Sequence, residues 1–418
     1  MRRIPLKRHP LFSAEAIPQE SRDIIEHFDR VIADVLHLNS RHRVQLGGAI
    51  KRLSHELTDE RTSRRVGYMN DTSFVSAYIS YFMWWNLVRL TRLFAGLPRE
   101  AFALADGDVV LDVGSGPLTV PIALWLSRPE LRAKKLTVYC MDLSQTALAS
   151  GEELFLSIAA KTIAEKATAD GDTTIEPWSI VRVRGELGTH IKEKAALVTC
   201  ANVCNELIQS STMPPDFLAK KYSGDLLSYT DGENPRATVL LVEPGDPKSA
   251  RFVALMREAF LRRSFAPLAP CPHTAECPMT GNVKKGGKWC NFAFSTEDAP
   301  VALQKLSAKA GLAKERATLS FVLAKKAAQT ESPAVQSEKN ASAHEEQRPK
   351  RLALRITSDF IRLPDLHKSG YYACSELGLV LAVDKTHVQP KNGEWLSVAY
   401  PQDTTTRDKK SGAVLIEL

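Results

Sequence analysis

Between residues 106 and 245 two kinds of segment alternate, and that alternation restricts the fold more than any other feature of the chain. Short runs rich in Val, Leu and Ile occupy 109–114 (VVLDVG), 136–142 (LTVYCMD), 179–186 (SIVRVRGE), 195–202 (AALVTCAN) and 237–245 (ATVLLVEPG). Each ends in a turn residue or an acid. Amphipathic stretches such as Leu118–Leu126 and Gln145–Ala164 lie between several of them. A strand that is apolar on both faces has to be covered on both. A connection long enough to carry a helix returns the chain to start a parallel neighbour. The spacing therefore predicts an α/β protein built on a parallel sheet with helices on each side.

The flanks obey other rules. Up to about residue 100 the apolar positions recur at three- and four-residue spacing, predicting helices over Ser21–Leu36, Ser40–Leu57 and Thr72–Phe94. The stretch from Phe74 to Phe94 is the most hydrophobic, but Asn86, Arg89 and Arg92 interrupt it, so it reads as a buried helix and no membrane partner is expected. Its aromatics Tyr78, Tyr81, Phe82, Trp84 and Trp85 could stack on bases, but their helical spacing favours a core face. The opening MRRIPLKRHPLF is basic without an apolar stretch and does not read as a secretory signal. Arg2, Arg3 and Arg8 would suit a mitochondrial address, yet Glu15, Glu20 and Asp23 follow at once, which favours a bacterial cytoplasm over a mitochondrial matrix. Residues 325–350 lack large apolar groups and read as a disordered linker. From 351 to 418 the alternation of a β-rich region returns. The expected division is a helical block (1–100), the α/β domain (101–265, completed by 296–324), a Cys-rich loop (266–295), the linker (325–350) and the β-rich end (351–418).

With 44% hydrophobic and 25% charged residues the chain can build real cores, which excludes wholesale disorder. Its 55 Lys+Arg against 48 Asp+Glu leave a net charge of +7, compatible with a polyanionic partner. Seven cysteines scattered over 418 residues do not form a secreted disulfide framework and fit a reducing compartment.

Two constellations carry chemistry. The first is Asp112-Val113-Gly114-Ser115-Gly116-Pro117-Leu118, a glycine loop between a strand and a helix. Glycine lets backbone approach a ligand, and the helix start behind it offers free N–H groups. A dinucleotide fingerprint needs a further glycine where Thr119 stands. The D-x-G-x-G pattern instead suits S-adenosylmethionine (SAM). The next strand ends at Asp142, where an acid can accept hydrogen bonds from ribose hydroxyls, and Glu186 after the following strand could edge an adenine pocket. Asn202, Asn205 and Glu206, after the fourth strand, are the candidates to line the reacting end, with Glu206 expected to cap the helix there. The Asn/Asp-Pro-Pro-aromatic signature of amino methylation is absent, and Cys200 and Cys204 lack the context of a nucleophile and read as small buried packing.

The second constellation is Cys271-Pro272-His273-x3-Cys277-Pro278-x11-Cys290. Thiolates in a loop stiffened by Pro select zinc or an iron–sulfur cluster. Structural zinc sites favour ligand pairs two to four residues apart, and the wider intervals here favour a cluster. A fourth ligand is needed: Cys374 in YYACSEL, or His273 in a Cys3His zinc site. Lys284, Lys285 and Lys288 in the same loop could meet phosphate.

The order LDVGSGP, CNEL, LVEPGDP and CPH…CP…WCNF resembles the methyltransferase-like assembly factors of the mitochondrial small ribosomal subunit and their bacterial relatives. The resemblance runs from about Leu57 to Val383. It implies a Rossmann-like SAM-methyltransferase fold and SAM held near Asp112, Gly114, Ser115, Gly116 and Asp142. It also implies a [4Fe–4S] cluster on Cys271, Cys277, Cys290 and Cys374, and association of a monomer with small-subunit rRNA during assembly. Leu118 and Asn291 depart from the pattern, standing where relatives have a small residue and His. The activity so implied is SAM-dependent methylation of rRNA; a binding factor without turnover, or a zinc-stapled RNA-binding protein, is the alternative.

Overall fold

A computed structural model describes residues 6–38, 40–58, 69, 71–170, 175–282, 287–327, 351–364 and 368–418. Lys284 and Lys285, the basic stretch 59–68 and most of the expected linker, 328–350, lie outside the described residues.

The chain opens with β1 (Lys7–His9), then α1 (Gln19–Glu26), α2 (Phe28–Leu36), α3 (Ser40–Thr58) and α4 (Thr72–Ala77). The single helix expected over Ser21–Leu36 is broken at His27. The backbone of α4 runs through a π-helical stretch, Tyr78–Met83, into α5 (Trp84–Gly96). Trp84 and Trp85 are both 1% exposed, and buried indoles need acceptors. The Trp84 ring N–H donates to the Ile25 carbonyl (2.8 Å) and that of Trp85 to Ser307 Oγ (3.1 Å). Among the described residues no helix is long and apolar enough to cross a membrane.

The α/β unit follows as β2 (Val109–Val113), α6 (Thr119–Ser127), α7 (Pro129–Arg132), β3 (Thr137–Asp142), α8 (Gln145–Asp170), β4 (Ser179–Arg184), β5 (Leu197–Ala201), α9 (Cys204–Gln209), α10 (Pro215–Ser228), β6 (Thr238–Glu243), α11 (Pro247–Leu261), β7 (Phe265–Ala269), β8 (Phe292–Ser295), α12 (Val301–Lys309) and β9 (Arg316–Lys326). The strands stand in the order β4-β3-β2-β5-β6-β9-β7, with β8 on β9. Strands β2 to β6 pair in parallel, whereas β9 runs antiparallel to β6, β7 and β8. This is a Rossmann-like sheet. Successive strand residues face opposite sides: Val110, Val138 and Leu197 join the core shared with the N-terminal helices, while Leu111, Val198 and Val239 join the core under α10 and α11. The topology turns at β2, which lies between β3 and β5, and such a switch opens a crevice at the carboxyl strand ends.

The last unit contains β10 (Arg351–Ile356), β11 (Ile361–Leu363), β12 (Lys368–Ser375), β13 (Gly378–Asp384), β14 (Trp395–Ala399) and β15 (Val414–Glu417). Its order is β1-β14-β10-β12-β13-β15, with β11 on β12 and only β13–β15 parallel among these pairs. Two expectations are corrected. The N-terminal block is not all helix, because β1 pairs with β14 and so belongs to the C-terminal sheet. Lys325 and Lys326, assigned above to the linker, extend β9 and pair with β6 and β7.

One glycine explains how Leu118 is tolerated in the loop. Leu118 is fully buried with φ 57°, a region costly to residues bearing a Cβ. It is seated against Gly151 of α8, where a Cβ would fall 2.4 Å from the Pro117 carbonyl carbon and 2.7 Å from Leu118 Cδ1. Gly151→Ala, although worth about 1 kcal/mol in helix propensity, should therefore destabilise the protein by roughly 1–3 kcal/mol, read as a lower urea midpoint. An unchanged or raised midpoint would show that this packing does not hold the loop.

Candidate functional site

The crevice is built from strand ends. Gly114 and Gly116 have φ of 68° and 52°. At Gly114 a Cβ would lie 2.1 Å from Val203 Cγ2, whereas at Gly116 it would meet nothing within 4 Å. The loop is thus packed on one side and open on the other. Asp142 accepts from the Gly116 N–H (2.9 Å) and, through its other oxygen, from the Ser144 N–H (2.8 Å). One carboxylate thereby clamps the loop and starts α8. Burial pushes its pKa up, against the pull of these bonds.

Asp112 is 1% exposed. Its Oδ1 accepts from the Thr199 hydroxyl (2.6 Å), while its Oδ2, like the Ser115 hydroxyl, is buried without a partner. Burial raises the Asp112 pKa to about 7. Both residues line an enclosed space of about 20 Å³ together with Gly114, Asn202, Tyr78 and Asn86. That is room for roughly one water. Tyr78 and Asn86 come from the N-terminal helices, so a residue expected in a core face is instead part of the crevice wall. Burial and the charges of Glu206 and Asp142 push the Tyr78 phenol up.

The other candidates separate. Asn202 takes φ 59° and donates its N–H to Val242 O (2.8 Å). Asn205 Oδ1 is buried without a partner. At the start of α9, Glu243 from the end of β6 accepts from the N–H groups of Cys204 (2.8 Å) and Asn205 (3.0 Å). Burial holds Glu243 near a pKa of about 8. Glu186 is exposed in a surface turn closed by Thr189 and does not line the enclosure. Cys200 and Cys204 are fully buried, as packing requires.

Beside the crevice, four sulfurs from two units meet. The charges of Cys271, Cys277 and Cys374 all act on Cys290, and those of Cys271 and Cys277 on Cys374. Burial, reinforced by these neighbours, raises the Cys290 and Cys374 thiols well above the ordinary range and Cys277 to about 11. Arg257 of α11 donates from Nε to Cys271 Sγ (3.2 Å) and from Nη2 to the carbonyls of His273 (2.9 Å) and Ala275 (2.8 Å). His273 Nε2 lies 3.0 Å from Cys374 Sγ. Arg355 of β10 donates to the Pro270 and Gly393 carbonyls (2.8 and 2.7 Å). All seven cysteines are free. Among the described residues, no group of three or more His, Cys, Asp or Glu side chains is arranged to hold a metal ion. The loop is tied to the crevice: the Trp289 ring N–H donates to Gly245 O (3.2 Å) and the Ser320 hydroxyl to Cys290 O (2.7 Å).

The family model for the mitochondrial small ribosomal subunit protein Rsm22 matches residues 106–353, more than half of the chain. The chain belongs to the Rsm22 family. No curated protein matches it. Among solved structures, the Rsm22-family chain is similar to a SAM-dependent methyltransferase from Geobacter sulfurreducens, in complex with S-adenosyl-L-homocysteine, at 12% identity over 66% of this chain and 98% of that one (TM-score 0.30). It is similar to a putative RNA methyltransferase from Pyrococcus horikoshii at 13% over 58% and 84% (TM-score 0.28). It is similar to the ribosomal protein L11 methylase of Lactobacillus delbrueckii subsp. bulgaricus at 16% over 46% and 74% (TM-score 0.28).

Sequence reasoning missed Tyr78, Asn86, Glu243, Arg257 and Arg355. Only Glu243 carried a signal, as an acid closing an otherwise apolar strand.

The raised carboxyls make stability depend on pH with a definite sign. Between the ordinary aspartate range and about pH 7 the folded state of Asp112 binds more protons than the unfolded state, so stability falls as pH rises through that window. Asp112→Asn should flatten the fall of the urea midpoint between about pH 5 and 7.5. A slope as steep as that of the wild type would mean that Asp112 is ionised in the folded protein.

Proposed function

We propose that this Rsm22-family chain binds SAM in the β2 crevice, holds a [4Fe–4S] cluster on Cys271, Cys277, Cys290 and Cys374, and acts on small-subunit ribosomal RNA during assembly. The observation that carries the reading is that a glycine crevice in the α/β sheet is tied to a loop of three cysteines whose charges act together with that of Cys374 from the second sheet. SAM would supply an electrophilic methyl group, and the cluster a cross-link between the α/β unit and the C-terminal sheet.

The donor types present suit both groups. The unpartnered Asp112 Oδ2 and Ser115 hydroxyl offer an acceptor and a donor for the charged end of an amino acid. Asp142 is committed to the loop, but each carboxylate oxygen retains a second lone pair for a ribose hydroxyl. Four sulfur donors are the set that iron–sulfur clusters use. The chain's own task in methyl transfer would be orientation and exclusion of water. Tyr78 and Asn86 would exclude water once moved aside for the ligand, and Asn202, Asn205 and Glu206 would flank the acceptor.

RNA as the partner draws support from the C-terminal sheet. The order β14-β10-β12-β13-β15 with a parallel last pair is that of the OB barrel, whose second and third strands serve oligonucleotide binding. Tyr372 on β12 has Lys288 Nζ 4.5 Å from its ring centroid. The excess of basic residues and the family's tie to the small ribosomal subunit agree with this. Four free thiols suit a reducing compartment, a bacterial cytoplasm or a mitochondrial matrix.

A second reading, a factor without turnover, is favoured by the narrow crevice: the Gly116 N–H is engaged by Asp142, Val203 packs on Gly114, and Tyr78 lines a space of only about 20 Å³.

Anaerobically purified protein should contain iron and sulfide, and calorimetric titration should show SAM binding that Asp142→Ala weakens at least tenfold and Glu186→Ala leaves unchanged. Colourless protein holding one zinc would replace the cluster, and equal SAM affinity in Asp142→Ala would move the site. Small-subunit rRNA from a deletion strain should lack one methyl group; an unchanged modification map with impaired subunit assembly would establish the second reading.

A further inference from the structure

The environment of the four thiols is unusual in its charges, and this inference rests on the cluster reading above. Arg257, with only 3% of its side chain exposed, is ion-paired with Glu258. Arg355 is different. Its guanidinium donates only to main-chain carbonyls, of Pro270 and Gly393, and among the described residues it has no carboxylate partner. A guanidinium stays charged in a protein, and a charge held partly away from water favours an opposite one beside it. Arg355 is half-buried, stands opposite Cys374 in the β10–β12 register and donates to the carbonyl of the residue before Cys271; the charges of Cys271, Cys290 and Cys374 act on it.

We propose that Arg355 is the counter-charge of the metal group, a positioning residue that fixes its net charge and raises its reduction potential. Four thiolates around an oxidised [4Fe–4S] core carry two net negative charges, and one-electron reduction adds a third. Placing a fixed positive charge against three of the ligands favours the more negative state. Arg257, its own charge shared with Glu258, acts through the hydrogen bond to Cys271 and through the loop carbonyls it holds. Net charge and hydrogen bonds to sulfur are the terms by which a protein sets a cluster's potential. A neutral residue at 355 would leave the geometry of the ligands and remove the counter-charge.

The test compares wild type, Arg355→Gln, Arg355→Lys and the control Arg316→Gln, which removes an exposed guanidinium paired with Asp359 and remote from the thiols. Each chain is reconstituted anaerobically with ferrous iron and sulfide, assayed for iron and acid-labile sulfide, and titrated with dithionite while the reduced cluster is followed by electron paramagnetic resonance. Glutamine can still donate to Pro270 O, so it tests charge more than packing. Arg355→Gln should lower the ratio of reduced to oxidised cluster about tenfold at the wild-type midpoint, a shift of about 59 mV for one electron, or fail to load. Arg355→Lys should load and stay within threefold of wild type, and Arg316→Gln should match it. An Arg355→Gln protein that loads fully with an unchanged midpoint overturns the inference alone. Failure of the glutamine and lysine chains alike overturns it too, since hydrogen bonding rather than charge would then be what matters. A wild type that takes up neither iron nor sulfide overturns the cluster reading, and the inference falls with it.

Discussion

A single buried carboxyl group, that of Glu243, connects everything that gives this molecule its chemistry. It closes β6, accepts the first two free N–H groups of α9, and so fixes the segment carrying Asn202, Asn205 and Glu206. Satisfying helix-start donors with a strand-end acid is a strong, local solution to the orphan groups of a helix. On the neighbouring strand, Ser320 stands opposite Glu243 in the β6–β9 register and donates to the carbonyl of Cys290. Two residues further on, Gly245 receives the Trp289 ring N–H and packs on Thr318 with no room for a side chain. The Glu-Pro-Gly turn therefore registers the crevice and the cysteine loop to each other through main-chain contacts. A shift in one cannot leave the other in place.

The crevice is held shut by contacts of different strength. Gly114 against Val203 is a steric contact within the α/β unit. Tyr78 and Asn86 arrive on the π-helical turn and the helix after it. Such a turn interrupts the α-helical ladder and is a frequent feature of functional sites. Arg89 secures this wall by donating to Asn86 Oδ1 (2.7 Å) and Thr318 O (3.1 Å). Thr318 is also what Gly245 packs upon, so the helical wall and the Glu-Pro-Gly turn meet on one residue of β9.

The legible parts of the sequence were those whose physics is local. The runs of β2, β3, β5 and β6 were legible because so short a run, apolar on both faces, is buried well only as an inner strand of a covered sheet; the fifth, with Arg182 and Arg184 alternating, is the edge strand β4. The glycines of the loop were legible for the same reason: positive φ and close approach leave glycine signatures. What escaped depends on long-range pairing. Lys7–His9 looks like a polar leader, and only its partner in β14 makes it a strand. Lys325 and Lys326 look like linker by composition, yet β6 and β7 pull them into a ladder. Tyr78 has the helical spacing of a core residue, and its place beside Asp112 follows from how α5 packs on α6. Arg355 alternates with buried leucines on β10, as a solvent-facing residue would; nothing local shows that its side of the sheet faces three thiols.

The thiol centre also explains why the two ends of the chain are drawn together. Cys374 lies on β12 beside β10, whose other neighbour, β14, takes β1. Arg8 of β1 forms an ion pair with Glu394. The Glu394 N–H in turn donates to Lys391 O, closing the turn whose Gly393 carbonyl receives Arg355. The N-terminal strand, the C-terminal sheet and the cysteine loop are thus connected through pairing and main-chain contacts. The centre proposed above would constrain segments that are distant in sequence, since cross-links closing long loops remove the most conformational freedom from the unfolded chain. Polar contacts such as Arg316 to Asp359 and Asn392 to Ala293 also join the sheet to the α/β unit, but an exposed ion pair contributes little to holding one orientation. Fixing that orientation would be the structural work of the proposed centre, and it would hold whether or not a methyl group is ever transferred.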